Sequence, residues 1–241
     1  MKHYLTIVLS LLLLIISNSS HAINITASSW LLADGTGKII EGANTTEVRS
    51  IASISKLITV MVVLDAKQDL DQKIGKYTRQ ELIRLALVKS DNNAAMALCE
   101  NYLNGKISCV TAMNRKAKEL GLSNTKFVEP TGLSIMNVST AEELIPIIIT
   151  AQSYPAIVNA SNTRTDRIKT KKSWYNFNNT NPIVSSYHFM VSKTGYIRAS
   201  GGCIVMMLDT SVGRRIVVLL NSKNTKTRIP EAEFIANLKV Q

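Results

Sequence analysis

From Ile54 to Leu64 the chain is apolar around almost the whole circumference of a helix, with Ile54, Leu57, Ile58, Met61 and Leu64 recurring at helical spacing. A helix that is apolar all round has to be wrapped by neighbours, so this segment predicts the central helix of a sizeable core. Two polar residues stand at its start. Ser53 and Lys56 are three residues apart and therefore share one face. An amine held beside a hydroxyl can take its proton, which turns a group inert at its own pKa into a nucleophile.

Two further triplets follow in order, Ser90-Asp91-Asn92 and Lys193-Thr194-Gly195. Each pattern alone is weak. Ser123-Asn124-Thr125-Lys126 repeats the first spacing and Ser222-Lys223-Asn224 the second, whereas Lys-Thr-Gly occurs once. Context separates them. Ser53 follows a strand-like segment and opens the apolar helix, Ser90 sits at a break between two helices, and Lys193 ends a β-rich stretch. Taken in this order the three words are the signature of penicillin-binding proteins and class A β-lactamases. The bland alternative is three unrelated polar triplets on surfaces.

The opening residues read as a targeting segment. Met1-Lys2-His3 is basic, Leu5 to Ile16 is apolar, and Ser20-His21-Ala22 offers a small-x-small cleavage site. Residues 1–22 are therefore expected to be a signal peptide cleaved after about Ala22, and the protein to be periplasmic. The apolar run falls short of the roughly 20 residues of a membrane span, and no stable anchor is expected. Residues 23–241 suffice for a single domain, with no C-terminal β-domain. The formal net charge of +11 suits a polyanionic wall or membrane surface. Nucleic acid is not expected, because no basic run is interleaved with aromatic residues, and Lys169 to Lys172 reads as a solvated turn. His188 is the sole histidine beyond residue 22. That count excludes ordinary zinc ligation by histidines and makes a Ser-His-Asp triad hard to assemble, which favours lysine as the base; neither metal nor cofactor is expected. Export permits a disulfide, and Cys99 and Cys109 flank an Asn104-Gly105 connection that a bridge would close; Cys203 reads as a buried small hydrophobe.

The fold class is α+β. Ser28–Ala33 and Lys38–Gly42 form a hairpin around Asp34-Gly35-Thr36-Gly37. Thr78-Arg79-Gln80-Glu81 is a capping box opening a helix to about Lys89; another helix begins near Asn93, and a further one runs from about Ser108 to Leu120. Ser139-Thr140-Ala141-Glu142 reads as a second capping box, before a helix that Pro146 should kink. Phe189–Lys193, Cys203–Asp209 and Arg214–Asn221 are strands, and a closing helix spans Pro230–Leu238. An antiparallel sheet built from both chain ends is expected, flanked by helices and carrying an inserted helical region.

With these residues in place the chain resembles the low-molecular-mass penicillin-binding proteins of the D-alanyl-D-alanine carboxypeptidase/endopeptidase family, from about Ala27 to Leu238. Arg49 to Leu57, Phe127-Val128-Glu129-Pro130-Thr131-Gly132-Leu133-Ser134 and Asn178-Asn179-Thr180-Asn181 resemble the endopeptidase branch. The resemblance implies a β-lactamase/DD-peptidase-like fold and cleavage of D-alanyl–meso-diaminopimelyl cross-links in peptidoglycan, with trimming of terminal D-alanine as the alternative. It implies that Ser53 forms the acyl-enzyme, Lys56 takes its proton and Ser90 relays a proton to the leaving amine. Asn92 would hold the substrate amide, Lys193 supply positive potential, Thr194 bind the carboxylate, and Gly195 let the strand approach. The Ser53 and Tyr196 N–H groups would hold the oxyanion. Burial and nearby Lys193 are both expected to lower the Lys56 pKa. Arg228 is either a carboxylate-binding arginine or a solvated one; Glu129 is either a branch marker or a turn cap; Ser90 and Asn92 could also cap the following helix. Between Leu70 and Arg79 the chain is shorter than expected of relatives, which trims a loop near the cleft.

Peptidoglycan stem peptides and β-lactams, as covalent inhibitors, are the expected partners. The rivals are a class A-like β-lactamase and a non-catalytic wall-binding protein. Class A enzymes deacylate through a Glu-x-x-x-Asn pair on a loop between the second and third words, and no such pattern is expected between Asn92 and Lys193. Deacylation of β-lactams is therefore predicted to be slow. A chromogenic cephalosporin should show one stoichiometric burst and little turnover; rapid turnover would favour the β-lactamase.

Overall fold

The computed structural model describes residues 24–171 and 173–238, so the expected signal segment lies outside the described residues. β1 (Ser29–Asp34) and β2 (Ile39–Ala43) form the first hairpin, and β3 (Arg49–Ser50) with a 3-10 turn, Ala52–Ser55, leads into α1 (Lys56–Asp65). A small hairpin, β4 (Lys73–Ile74) and β5 (Tyr77–Thr78), precedes α2 (Arg79–Arg84), a π-helical turn over Leu85–Lys89, α3 (Asn92–Glu100) and α4 (Gly105–Glu119). β6 (Val138–Ser139), α5 (Ala141–Ala151) and α6 (Pro155–Asn162) come next, then a hairpin of β7 (Thr165–Lys169) and β8 (Trp174–Asn178). β9 (Phe189–Ile197), β10 (Gly201–Thr210), β11 (Gly213–Ser222) and α7 (Arg228–Ile235) complete the order.

Both chain ends meet in one antiparallel sheet of order β2-β1-β11-β10-β9. β1 pairs with β11 from Ser29↔Leu220 to Asp34↔Arg215, which closes the domain across its whole length. The central strands are covered on both faces. Cys203, Val205 and Met207 of β10 join the cluster built around α1 and α5, whereas Ile204, Met206 and Leu208 pack with Ile229, Ala232 and Ile235 of α7. Burial on two faces explains why β10 reads as a continuous apolar run instead of alternating. The helical block occupies the first of these faces, and every residue of α1 from Lys56 to Val63 is buried, as its composition requires.

Several local expectations shift. The Lys193-Thr194-Gly195 triplet lies inside β9, which runs on to Ile197, and does not end the strand. α3 begins at Asn92, and its N-cap is Asp91, whose side chain accepts from the Ala94 N–H; Ser90 and Asn92 are thereby released from capping. Thr78 and Glu81 do form a capping box. The second box fails. Thr140, not Ser139, caps α5 by accepting from the Glu143 N–H, while the Glu143 carboxylate turns away to Ser123, Asn124 and Thr125. α5 runs through Pro146 without a break, and the sharp turn of 105° comes between α5 and α6. The closing helix begins at Arg228, so Pro230 sits in its first turn, where a missing N–H costs nothing. Among the described residues, no single helix is long and apolar enough to cross a membrane.

Cys99 and Cys109 are bridged, tying the end of α3 to the start of α4, and Cys203 is free and fully buried. Closing a loop of this size removes chain entropy worth about 3 kcal/mol from the unfolded state. The double variant Cys99→Ser/Cys109→Ser is therefore expected to lose roughly that stability in urea unfolding, with a slightly steeper slope because the unfolded chain without the cross-link is more expanded.

Candidate active site

Ser53 lies in the 3-10 turn ahead of α1, and Lys56 is the first residue of that helix. The Lys56 side chain is fully buried, and its Nζ lies 2.8 Å from Ser53 Oγ, 2.8 Å from Asn92 Oδ1 and 2.5 Å from the Thr131 carbonyl oxygen. Burial pushes the Lys56 pKa from the ordinary 10.5 to about 8, against an upward pull from the carboxylates of Glu129 and Asp91. Lys193 was expected to help lower it. The repulsion between the two ammonium groups is mutual, and the pKa of Lys193 is driven well below its usual range by burial first, then by Lys56 and Arg228. Lys193 Nζ donates to Ser90 Oγ at 2.9 Å and to the Thr194 carbonyl at 2.9 Å.

The backbone around these groups is strained in specific places. Ala52 has φ 46° and Ser90 φ 60°, the left-handed region that residues other than glycine and asparagine seldom enter. Ser90 reaches it because the preceding π-helical turn loosens the helix: the Asp91 N–H bonds back to the Leu85 carbonyl. Two glycines allow close approach to the nucleophile. A Cβ on Gly132 (φ +81°) would stand 2.0 Å from the Ala52 carbonyl oxygen, and one on Gly195 would stand 3.1 Å from the Ser53 nitrogen.

A cavity of about 230 Å³ opens onto Ser53 and is lined by Ser90, Asn92, Thr194, Gly195, Tyr196 and Arg228, together with Leu133 and Thr180. All three sequence words thus converge. Lys56 and Lys193 stand behind its wall, 0 % and 1 % exposed. Arg228 is no solvated arginine: it is 7 % exposed and donates from Nη1 to the Gly195 carbonyl at 2.8 Å. The Ser123 decoy sits elsewhere, bonded to Glu143, and Ser222 is bonded to Glu231 and Thr227.

Roles that single residues could not announce belong to the loop from Glu129 to Ser134. The Glu129 carboxylate accepts from the N–H groups of Thr131, Gly132 and Ser134 and from the Thr131 hydroxyl. This fixes the carbonyl that receives Lys56. Glu129 therefore caps the turn, as one of its two readings has it. Asn137, fully buried, donates to the Ser55 hydroxyl and to the Glu129 carbonyl, and so locks the loop to the helix start. Thr180 Oγ1 accepts from Thr194 at 2.6 Å and orients that hydroxyl.

A Glu-x-x-x-Asn spacing does occur between Asn92 and Lys193, at Glu100 and Asn104, contrary to expectation. Glu100 is exposed at the far end of α3, about 12 Å along the helix from Asn92, so it does not face the nucleophile. Among the described residues no group of three His, Cys, Asp or Glu side chains is placed to hold a metal ion.

Residues 16–75 and 69–224 match the peptidase S11 family, described as D-alanyl-D-alanine carboxypeptidase. The chain is similar to D-alanyl-D-alanine endopeptidases of Escherichia coli (41% identical, 76% of this chain and 67% of the relative) and Pseudomonas aeruginosa (36%, 86% and 74%). In structure it is similar to a Streptomyces DD-transpeptidase at a TM-score of 0.81 and 26% identity, over 89% of this chain and 97% of that one. An ampicillin-bound penicillin-binding protein from Listeria monocytogenes shares the fold at 0.80 and 23% identity, with the same coverage.

The geometry makes two predictions for acylation of Ser53 by a fluorescent penicillin. A base that must be neutral, with a pKa of about 8, requires the rate to climb about tenfold per unit as pH rises toward 8 and to level off above it. Gly132→Ala pushes the loop off Ala52, and a misplacement near 1 Å should slow acylation about a hundredfold with the fold retained.

Proposed function

The chain belongs to the D-alanyl-D-alanine carboxypeptidase family of serine peptidases, S11, and from that premise we propose that it is an exported, periplasmic endopeptidase cutting D-alanyl–meso-diaminopimelyl cross-links of peptidoglycan. The observation that carries the chemistry is the 2.8 Å contact between Lys56 Nζ and Ser53 Oγ, with the amine's pKa brought down to about 8. No imidazole is within the constellation, and none is needed.

The neutral Lys56 amine takes the Ser53 proton as Oγ attacks the carbonyl carbon of the D-alanyl residue. The negative oxygen that forms is held by the backbone N–H groups of Ser53 and Tyr196, each donor of this kind being worth about 3 kcal/mol. Ser90, already bonded to Lys193, passes a proton to the departing amine as the C–N bond breaks. Water then attacks the ester and restores the Ser53 hydroxyl. Asn92 orients the acyl-side amide, while Thr194 and Arg228 take the carboxylate next to the scissile bond. A β-lactam opens on Ser53 by the same steps and leaves an ester that water removes slowly.

The preference for cross-links is supported by the relatives at 41% and 36% identity, both named endopeptidases; those named carboxypeptidases stand at 27% and 25%. Export is supported by the sequence of residues 1–22. Carboxypeptidase action is the second reading, favoured by Arg228, because a terminal D-alanine presents the same carboxylate as the diaminopimelyl D-centre.

The test uses purified sacculi and separated muropeptides. Cross-linked dimers should fall to monomers, and Ser53→Ala should abolish both this and fluorescent penicillin labelling. Conversion of pentapeptides to tetrapeptides alone would install the second reading; a folded wild type that penicillin leaves unlabelled would overturn the enzyme.

A further inference from the structure

The catalytic cavity is not the largest concavity on this molecule. The β4–β5 and β7–β8 hairpins rise on either side of a groove whose floor, about 560 Å³, and mouth, about 820 Å³, share Lys76, Tyr77, Thr170 and Ser173 and so are continuous. The floor is formed by the π-helical turn and the start of α3, and it reaches Lys89, Asp91 and Asn93. Asp91 and Asn93 flank Asn92, which lines the catalytic cavity. The groove and the catalytic cavity share no lining residue and are separated by the Ser90-Asp91-Asn92 turn, whose residues line one or the other.

Its chemistry is one-sided. Lys73, Lys76, Lys169 and Lys171 line the mouth, and no carboxylate is among the described residues there. Lys73 has a loose ion pair with Glu81 at 3.8 Å; Lys76, Lys169 and Lys171 have none among the described residues. On the floor, by contrast, Lys89 is tied down, 3.0 Å from Asp91 and stacked over Tyr175. Trp174, 49 % exposed with Arg167 stacked on one face, and Tyr77, with Lys76 over its ring, supply aromatic surface between the charges. Four lysines clustered on two hairpin tips repel one another, which costs stability unless something anionic lies between them.

We propose that this groove binds the acyl-side stem peptide of the substrate: the carboxylate-bearing chain that continues from the reacting D-alanyl carbonyl. The inference rests on the acyl-enzyme reading above. Direction follows from the two walls of the cleft. The leaving side, with its carboxylate, faces Thr194 and Arg228 on the β9 side, so the acyl chain has to depart past Asn92 and enters the groove. Its carboxylates pair with Lys169 and Lys171, which have no ion pair among the described residues, and with Lys76, whose ammonium otherwise sits over the Tyr77 ring, and its apolar and sugar surfaces lie on Trp174. A β-lactam or a short peptide is too small to reach this far, so the groove selects polymeric substrate without affecting the chemistry.

The test compares large and small substrates on one variant. Lys76→Ala/Lys169→Ala/Lys171→Ala, all at exposed positions, should acylate with fluorescent penicillin at the wild-type rate. It should also hydrolyse a diacetylated tripeptide ending in D-alanyl-D-alanine normally. On a soluble cross-linked muropeptide its kcat/KM should fall at least tenfold through KM, and the wild-type KM should rise with salt where the variant's does not. Trp174→Ala should lower the same kcat/KM severalfold without altering the salt response. Unchanged muropeptide kinetics, or equal losses on small and large substrates, would overturn the groove. A wild type without penicillin labelling would overturn the acyl-enzyme reading instead.

Discussion

A single buried ammonium governs the organisation of this protein. Lys56 is the one charged side chain on the buried stretch of α1 from Lys56 to Val63, and it is held away from water at the centre of the fold. Lowering its pKa from 10.5 to about 8 corresponds to a cost on the order of 3 kcal/mol for the charged form. Because the folded pKa lies below the unfolded one, that cost is fully present below pH 8 and is relieved as pH rises from 8 toward 10.5. The surrounding structure bears it by giving the amine three oxygen partners and two carboxylates at a distance. Removing more of that support would leave the charge unpaired, and adding a direct carboxylate contact would fix the proton and end its use as a base. The site is poised between these limits.

That balance explains why so much of the neighbourhood is backbone and not side chain. A carbonyl such as that of Thr131 stabilises an ammonium without a full charge, so it orients the amine and lets it lose its proton. Holding the carbonyl in place then falls to Glu129, which gathers four donors from its own loop, and to Asn137, which reaches from that loop to Ser55. The same closeness demands Gly132, since any side chain there would strike the Ala52 carbonyl.

The features legible in the sequence were those written in local pattern or in composition. The Ser53–Lys56 pair, the bare apolar helix, the Thr78–Glu81 capping box and the continuous apolar β10 all translate directly, because helix geometry and two-faced burial act over a few residues. The pairing of β1 with β11 followed from strands at both ends needing a sheet. What stayed hidden was long-range or positional. Thr180 meets Thr194 across 14 residues and a 3-10 turn, and Lys56 meets Thr131 across 75, with no local mark on either partner. The π-helical turn left no mark either: Leu85 to Lys89 reads as ordinary helix, and the loosening shows only in the backbone that delivers Ser90 at positive φ. Thr140 displaced Ser139 as the α5 cap because Ser139 is spent in a buried bond with Thr125, a contact invisible to a motif. The β7–β8 hairpin, with an Asp166–Arg84 ion pair beneath it, escaped because its polar, exposed alternation resembles a loop.

The second lysine completes the logic. Lys193 is buried within reach of the same positive field, and its pKa falls further because Lys56 and Arg228 are already there. Repulsion from Lys56 and Arg228 disfavours the charged form of Lys193, and the guanidinium is the least willing to yield its proton. Ser90 is bonded to one of the two lysines and stands beside Asn92, a partner of the other. An incoming substrate carboxylate beside Arg228 offsets that cation and weakens its repulsion, which raises the proton affinity of Lys193. On the proposed mechanism, recognition and proton traffic would in this way be one electrostatic event: the carboxylate taken by Arg228 would ready the lysine beside Ser90 to hold a proton.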